Sequence, residues 1–248
     1  MSESDVSMNN PTRVLVMVEQ PLLVDVIKLT LNHGVYVTRE ARDVPAAAAM
    51  LAGWQPHLAV IDMDIGGNAP LPPLARRSEG GAIRVPVLAL TRRGDLKTKL
   101  AAFEQGVDDI MTIPFSPEEL LARVLVITRR ALGASLPFTP VQRLGELEID
   151  ILQRQVRAGT SELHLTGFEQ SLLYLLAARA GRVVTRDEIL DALWGVDYVS
   201  ESNVVDRHVR NLRAKLQNDW RKPRFIATVP GRGYRFIPTF SGPERADA

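Results

Sequence analysis

Short apolar runs alternate with amphipathic segments through the first half of the chain, and this alternation restricts the fold more than any other feature. Runs of this length and composition are typical of strands buried on both faces. Four are clear and the one at 35–38 is weaker: 13–18, 35–38, 58–62, 85–91 and 109–113. Helical periodicity marks the segments between them, at 21–31, 44–53, 96–105 and 116–130. Right-handed helical crossovers between parallel strands follow from this order, so we predict a five-stranded, doubly wound (flavodoxin-like) α/β domain.

The pattern changes after ALGASLPFTPVQ (131–142), a stretch with two prolines that predicts a linker. Short alternating runs between residues 144 and 164 then predict a small antiparallel sheet. Two helices follow, and each begins with a capping box, formed by Thr166 with Glu169 and by Thr185 with Glu188. The expected division is a first domain at 11–131, a linker at 132–142 and a second domain at 143–240.

A third helix, NVVDRHVRNLRAKL (203–216), combines an apolar stripe with a polar face. The polar face would carry Asn203, Arg207, Arg210, Asn211 and Ala214. Beyond this helix, two short strands flank a turn with Arg232 at its tip, which predicts a hairpin. Two helices, an exposed basic helix and a hairpin together predict an α+β winged helix-turn-helix domain. Its third helix would enter the major groove of DNA, and the hairpin arginine would enter the minor groove.

The charge distribution agrees with a polyanionic partner for this domain. The formal net charge of the whole chain is only +1, but residues 203–235 contain nine basic and two acidic residues. Such a surplus attracts nucleic acid, although the solvated face of an ordinary helix and hairpin is the alternative explanation.

Composition and motifs exclude several other classes of protein. The chain has no cysteine, which excludes disulfides, thiolate zinc sites and cysteine nucleophiles. No apolar run is long enough to span a membrane and the first residues lack a secretory pattern, so we expect a cytoplasmic protein without a membrane partner. An enzyme built on the α/β half is the alternative from another functional class. The sequence contains no P-loop, no G-x-S-x-G motif and no histidines at metal-ligand spacing, so no enzymatic activity is expected.

Three segments of the second half resemble OmpR/PhoB-type response regulators: LTGFEQSLLYLLAARAGRVVTRDEILDALWG, VVDRHVRNLRAKL and FIATVPGRGYRF. The resemblance covers nearly the whole chain and implies a transcription regulator that binds double-stranded DNA. It implies that the DNA contacts of the third helix and hairpin are Asn203, Arg207, His208, Arg210, Asn211, Arg213 and Arg232. It also implies that residues 194–202 meet RNA polymerase.

Two departures from the family pattern affect these DNA contacts. Asn203 and Asn211 stand where many members have arginine, so we expect a different sequence preference, with adenine contacts from the amides. Pro230 stands at the usual position of the hairpin arginine, and Arg232 lies two residues later.

The first half resembles a receiver domain with an incomplete phosphorylation site. Receivers use two acidic residues, a phosphoacceptor Asp, a hydroxyl and a Lys to hold Mg²⁺ and the phosphoryl group. The corresponding residues are Val18 and Glu19, Asp62, Thr91 and Ile113. Without the second carboxylate and the Lys, Glu19 and Asp62 form at most a weak Mg²⁺ site, and no cofactor is otherwise expected.

We therefore expect a receiver that does not work by ordinary phosphorylation of Asp62. Gly66, where receivers usually have proline, and Ile110, where they have a switch aromatic, agree with this expectation. The alternative is a conventional regulator phosphorylated on Asp62 by a sensor histidine kinase.

The resemblance further implies a homodimer formed through the fourth helix, fifth strand and fifth helix of the receiver. The charges that match the family's ion pairs at this face are Lys99, Asp108, Asp109, Glu119 and Arg123. Leu100, Ile110 and Leu120 are expected to supply apolar contact, and a solvated helix face is the alternative. Such a dimer would bind promoter direct repeats whose half-sites lie about one helical turn apart.

Overall fold

The first half of the chain contains the five predicted strands in a parallel sheet. The computed structural model describes residues 11–32, 35–65, 75–78, 81–132, 141–151, 153, 155–195, 198, 203–216, 219 and 221–238. The elements of the first half are β1 (Thr12–Met17), α1 (Pro21–Leu31), β2 (Tyr36–Glu40), α2 (Val44–Gly53), β3 (Leu58–Asp62), β4 (Ala75–Ser78), β5 (Gly81–Arg84), β6 (Val87–Thr91), α3 (Leu96–Glu104), β7 (Asp109–Thr112) and α4 (Pro117–Leu132). The sheet has the order β2-β1-β3-β6-β7, and all its neighbouring strands run parallel.

Helices cover both faces of this sheet because successive strand residues point to opposite sides. In β1, Val14 and Val16 face a cluster that includes α1 and α4, whereas Leu15 and Met17 face a second cluster with α2 and α3. All four side chains are buried, which explains why the sequence of this strand is a continuous apolar run. The doubly wound arrangement predicted from the sequence is confirmed.

The connection from β3 to β6 differs from the others. Its described residues form the antiparallel hairpin of β4 and β5, with Ala75 opposite Arg84. No helix was predicted for this part of the sequence, and none is present among its described residues.

The second half consists of two small sheets and three helices, as expected for a winged helix-turn-helix domain. Its elements are β8 (Val141–Leu144), β9 (Leu147–Asp150), β10 (Gln155–Ala158), β11 (Ser161–His164), α5 (Gly167–Ala178), β12 (Val183–Thr185), α6 (Arg186–Trp194), α7 (Val204–Lys215), β13 (Ile226–Val229) and β14 (Gly233–Phe236). Strands β8 to β11 form an antiparallel sheet. Both predicted capping boxes are present at the starts of α5 and α6.

Strand β12 was not predicted, and it joins the hairpin of β13 and β14 in a sheet of order β12-β14-β13. The approach of the strands requires glycine at 233, because a Cβ there would lie 2.1 Å from the carbonyl oxygen of Val184. At the hairpin tip, Gly231 adopts a φ of +69°, a region that favours glycine. These two glycines allow the narrow hairpin that carries Arg232.

The two halves of the chain pack against each other through α1 and α5. Residues Glu169 to Ala177 of α5 are all buried, which is typical of a helix covered on every side. Within its own half α5 contacts α6, α7 and β14, and on its other side it contacts α1 and α4. The Arg179 Nε lies 3.1 Å from the Asp25 carboxylate across this junction. Nothing in the sequence pattern predicted the contact.

The described residues contain no helix that combines the length and the apolar character needed to cross a membrane.

Tyr174 in α5 is fully buried, and its hydroxyl has no hydrogen-bond partner in the described part of the chain. Burial, together with the negative charge of Asp150, raises the pKa of this hydroxyl, so it stays neutral. Leaving such a group unpaired costs about 1–3 kcal/mol.

We predict that Tyr174→Phe increases the free energy of unfolding by about 1 kcal/mol, because it removes the unpaired hydroxyl and keeps the ring. The measurement is chemical denaturation of the full chain. Tyr234→Phe is the matched control, since its hydroxyl donates to the Asp206 carboxylate at 2.5 Å and its loss should destabilise the fold. A destabilised Tyr174→Phe variant would contradict this assignment.

Candidate nucleic-acid interface and receiver pocket

Helix α7 buries one stripe and exposes the opposite face. Val205, Val209 and Leu212 are buried on the inner stripe. The exposed residues are Asn203, Arg207, Arg210, Asn211 and Ala214. Asn203 is the N-cap residue, but its side chain makes no capping hydrogen bond, so its amide group is not engaged by the helix end.

His208 and Arg213 point away from this exposed face, in contrast to the sequence-based expectation that they contact DNA. The His208 ring lies 4.2 Å from that of Phe168 and 5.4 Å from that of Trp194, measured between centroids. Burial and the nearby Arg207 charge lower the pKa of His208, which favours its neutral form. Arg213 donates from Nη2 to the Ile226 carbonyl at 2.9 Å. These two side chains therefore fix α7 against its own domain.

Asp206 connects α7 to α6 and to the hairpin. One of its carboxylate oxygens accepts hydrogen bonds from Arg186 Nε at 2.8 Å and from the Tyr234 hydroxyl at 2.5 Å. Although burial opposes it, these two hydrogen bonds lower the pKa of Asp206. Two guanidinium groups lie over the Tyr234 ring, that of Arg186 at 5.0 Å and that of Arg213 at 5.4 Å from the ring centroid. The sequence did not indicate this network, because its members lie on three different elements.

Basic side chains outnumber acidic ones around the groove between α7 and the hairpin. A cleft of about 540 Å³ opens here, and its lining includes three arginines, Arg186, Arg210 and Arg213, together with the carboxylates of Asp206 and Asp219. Arg232 at the hairpin tip and Arg235 on β14 are exposed. The exposed helix face and the hairpin tip therefore present cations of the kind that contact DNA phosphates and base edges.

Other members of the basic cluster are engaged within the domain. Lys215 forms an ion pair with Glu169 at 2.6 Å, and Arg224 pairs with Glu146. The charge count alone therefore overstates the positive charge directed outwards.

In the receiver, Asp62 is buried at the carboxyl end of β3, with 1% of its surface exposed. Its Oδ1 accepts a hydrogen bond from the Asp64 backbone N–H at 3.0 Å. Its Oδ2 lies 3.3 Å from Arg92 Nη1. Both carboxylate oxygens are thus occupied within the chain.

Asp64 forms a second acidic position beside Asp62. Its Oδ2 accepts from the Arg92 backbone N–H at 2.7 Å and from the Thr91 hydroxyl at 3.4 Å. Arg93 Nε lies 3.8 Å from its other oxygen. Sequence reasoning missed Asp64, Arg92 and Arg93; the available signal was that they follow Asp62 and Thr91 by only one or two residues.

The remaining predicted pocket residues do not complete a metal site. Val18 and Ile113 are buried in the apolar core, whereas Glu19 is exposed and forms no ion pair with the described residues. No group of three or more Asp, Glu or His side chains in the described ranges could hold a metal ion. Gly66 lies outside the described residues.

The surface formed by α3, β7 and α4 differs in part from the expected dimer face. Leu96, Leu100 and Phe103 form a stripe along α3 with exposures of 71%, 53% and 47%. By contrast, Leu120 is fully buried and Ile110 is 8% exposed. Neither side chain can therefore supply the apolar contact at the surface that the sequence analysis predicted. The apolar part of this face is the α3 stripe.

The charges expected at this face differ in their partners. Arg123 forms ion pairs at 2.8 Å with both Asp109 and Glu119 within the chain. Asp108 instead pairs with Arg84 at 3.0 Å and accepts from the Val87 backbone N–H at 2.7 Å. Lys99 is partly exposed and has no ion pair among the described residues.

Two family descriptions match the two halves: "Response regulator receiver domain" over residues 14–125 and "Transcriptional regulatory protein, C terminal" over residues 160–236. The transcriptional regulatory protein TrcR of Mycobacterium tuberculosis is 32% identical over 232 residues, covering 92% of this chain and 88% of TrcR. The response regulator MprA of the same organism is 32% identical over 222 residues, covering 90% of this chain and 96% of MprA. The chain belongs to the OmpR/PhoB-type response regulators.

Among solved structures, the chain is similar to DrrB, an OmpR/PhoB homologue of Thermotoga maritima. The identity is 25%, the coverage is 92% of this chain and 100% of that chain, and the TM-score is 0.39. The membership shown by the sequence relatives makes the protein a DNA-binding response regulator, with a receiver followed by a winged helix, and its relatives are transcription regulators rather than enzymes. The segment 194–202 lies mostly outside the described residues, as does most of the linker at 132–142.

The different placements of Arg210 and Arg213 in this response regulator yield a prediction. Arg210→Ala should weaken DNA binding and reduce the salt dependence of binding by about one phosphate contact, with an unchanged melting temperature. Arg213→Ala should lower the melting temperature, because it removes hydrogen bonds to Ile226 and Thr228. Fluorescence anisotropy over a salt series and thermal unfolding measure the two effects. A normal melting temperature for Arg213→Ala would contradict the positioning role.

Proposed function

We propose that this response regulator is a sequence-specific transcription regulator that dimerises through its receiver and acts without ordinary phosphorylation of Asp62. The observation that supports this most directly is the pairing of buried Asp62 with Arg92. Asn203, Arg207, Arg210 and Asn211 would contact the major groove.

Phosphorylation of Asp62 requires one of its oxygens to attack a phosphoryl donor. The Asp62 side chain has no exposed surface, and each oxygen already accepts a hydrogen bond. Freeing Oδ2 would separate the buried Asp62 carboxylate from the Arg92 guanidinium, whose side chain is 26% exposed, and would leave the carboxylate without this compensating charge. The Arg92 contact therefore opposes access of the donor to the carboxylate.

The charge of Arg92 also opposes a metal-dependent reaction. Mg²⁺ binds carboxylate oxygens in a strict octahedral arrangement, and a guanidinium on the same carboxylate repels the ion. A conventional receiver has two acidic residues at positions 18 and 19. Here Val18 provides no ligand, so Glu19, which is exposed, is the only carboxylate of that pair. With Ile113 in place of the Lys, no cation remains at that position to link a phosphoryl group to the rest of the fold.

The dimer proposal is supported by the α3 stripe together with the Arg123 ion pairs. Three large apolar side chains exposed along one helix are characteristic of an interaction surface. A two-fold dimer would bring this stripe against its own copy. Asp109, Glu119 and Arg123 would then fix the register, since partly exposed ion pairs contribute little adhesion by themselves.

The hairpin and the segment after α6 complete the proposal. Arg232 at the hairpin tip would enter the minor groove, whose negative potential attracts a guanidinium. Trp194 and Tyr198 lie within residues 194–202, the segment that would contact RNA polymerase; their rings stack 5.9 Å apart, and Tyr198 is exposed. No sensor histidine kinase is required for DNA binding in this proposal.

The proposed dimer is tested by sedimentation of the full chain with and without beryllofluoride and Mg²⁺. We expect the same dimer under both conditions, because Asp62 does not accept the phosphate mimic. Leu100→Asp should give a monomer under both conditions. Val44→Asp is the matched control, because Val44 is also exposed but lies on α2, outside the stripe.

Two results would count against the proposal. If beryllofluoride drives dimerisation and Asp62→Asn abolishes the response, the protein is a conventional phosphorylation-dependent regulator. If Leu100→Asp dimerises as well as the wild type, the dimer uses another surface.

A further inference from the structure

Two arginines on the exposed face of α7 differ in their surroundings. Arg207 is exposed, and its guanidinium forms no hydrogen bond or ion pair with the described residues. Arg210 is also exposed, but it lines the cleft beside the hairpin, together with Asp206 and Tyr234. The two cations are therefore placed to meet different parts of a bound DNA duplex.

Arg207 lies near the middle of the exposed face. A helix turns once in 3.6 residues, so residue 207 is almost opposite the buried stripe that includes Val205 and Leu212. Arg210 is displaced from it by about 60° around the helix axis, towards Asp206 and the cleft. If this face enters the major groove, its middle meets the floor of the groove, where the base edges lie, and its margin meets a wall.

The neighbours of Arg207 leave room for a base edge. Asn203 and Asn211 lie about one turn before and one turn after it, and both are exposed. Ala214, two turns after it, is exposed and small, so it allows a close approach of the helix. Arg207 is also the fourth residue of α7, and a recognition helix contacts base edges with its N-terminal residues.

From this placement we infer that Arg207 reads a guanine in the half-site, whereas Arg210 binds a backbone phosphate. The inference rests on the proposed sequence-specific binding of DNA. It makes Arg207 the residue that determines which base is accepted at one position of the operator, and it makes Arg210 a source of affinity without base preference.

The chemistry of the groove explains why the base would be guanine. In the major groove guanine presents two acceptors, N7 and O6, whereas adenine presents one acceptor and one donor, thymine an acceptor and a methyl group, and cytosine a donor. A guanidinium has donors only, arranged as a fork that fits two adjacent acceptors. Because no carboxylate among the described residues engages Arg207, no internal ion pair has to be broken to form this contact.

The test begins with selection of bound sequences from a random double-stranded DNA library by the full chain. We expect an enriched half-site that contains at least one required guanine. Replacing the required base pair should weaken binding at least about fivefold, as measured by fluorescence anisotropy, because the bidentate contact is lost.

Atomic replacement in the DNA then identifies the contact. Each guanine of the half-site is replaced in turn by 7-deazaguanine, which keeps base pairing but lacks the N7 acceptor. For the wild type, at least one of these replacements should weaken binding at least about fivefold. For Arg207→Ala, the same replacement should change the affinity less than about twofold, because the donor to N7 is already absent.

Arg210→Ala is the matched control, since it removes an exposed arginine from the same helix face. It should weaken binding to all sequences and lower the salt dependence by about one phosphate contact. Its sensitivity to 7-deazaguanine should equal that of the wild type. Both variants should melt at the wild-type temperature, because neither side chain has a hydrogen bond or ion pair with the described residues.

The outcomes separate this inference from the proposed function. A selected half-site without a required guanine would overturn the inference and leave sequence-specific binding standing. So would an Arg207→Ala variant that keeps the wild-type sensitivity to every 7-deazaguanine, or an Arg210→Ala variant that loses it. A wild-type protein that enriches no sequence at all would overturn both.

Discussion

A carboxylate buried at the end of a parallel strand needs a compensating charge, and this requirement governs the receiver pocket. Asp62 meets it with the Arg92 guanidinium and with a backbone N–H, both within the chain. In a low-dielectric environment an unpaired charge would be far more costly than an exposed one. The same contact that stabilises the carboxylate occupies the oxygen that chemistry at this position would use. Stability of the pocket and the loss of phosphorylation that we propose would therefore have a common physical cause.

Burial of α5 has a corresponding role in the whole molecule. A helix whose residues 169–177 are all buried needs a partner on the side that faces away from its own domain, and α1 provides it. The Asp25 and Arg179 pair adds orientation at the edge of this apolar contact.

The secondary structure was largely predictable because the burial of one or both faces of an element produces a regular spacing of apolar residues in the sequence. The strands of the parallel sheet are nearly uninterrupted apolar runs, and α7 shows its two faces through helical spacing. Short elements such as β12, with three residues, and the β4 and β5 hairpin contain too few residues to show a regular spacing of apolar side chains. The α1 and α5 contact was not predictable, since an apolar helix face does not reveal which surface covers it.

The candidate sites were predictable to the extent that one element carries them. Asn203, Arg207, Arg210 and Asn211 share a face of α7, so periodicity located them. His208 and Arg213 lie at the margins of that face, where neighbours such as Phe168 and Ile226 decide the orientation. The pairing of Arg92 with Asp62 joins two strand ends and depends on tertiary structure. It could only be seen in three dimensions.

The central claim is that this regulator occupies its DNA sites without phosphorylation of Asp62. The most direct test is genome-wide mapping of binding sites for the wild type and for Asp62→Asn, at matched protein levels. Asparagine retains the shape and an acceptor oxygen but cannot be phosphorylated. Equal occupancy of the same sites is the predicted result. Loss of occupancy by a variant that is folded and equally abundant would contradict the claim.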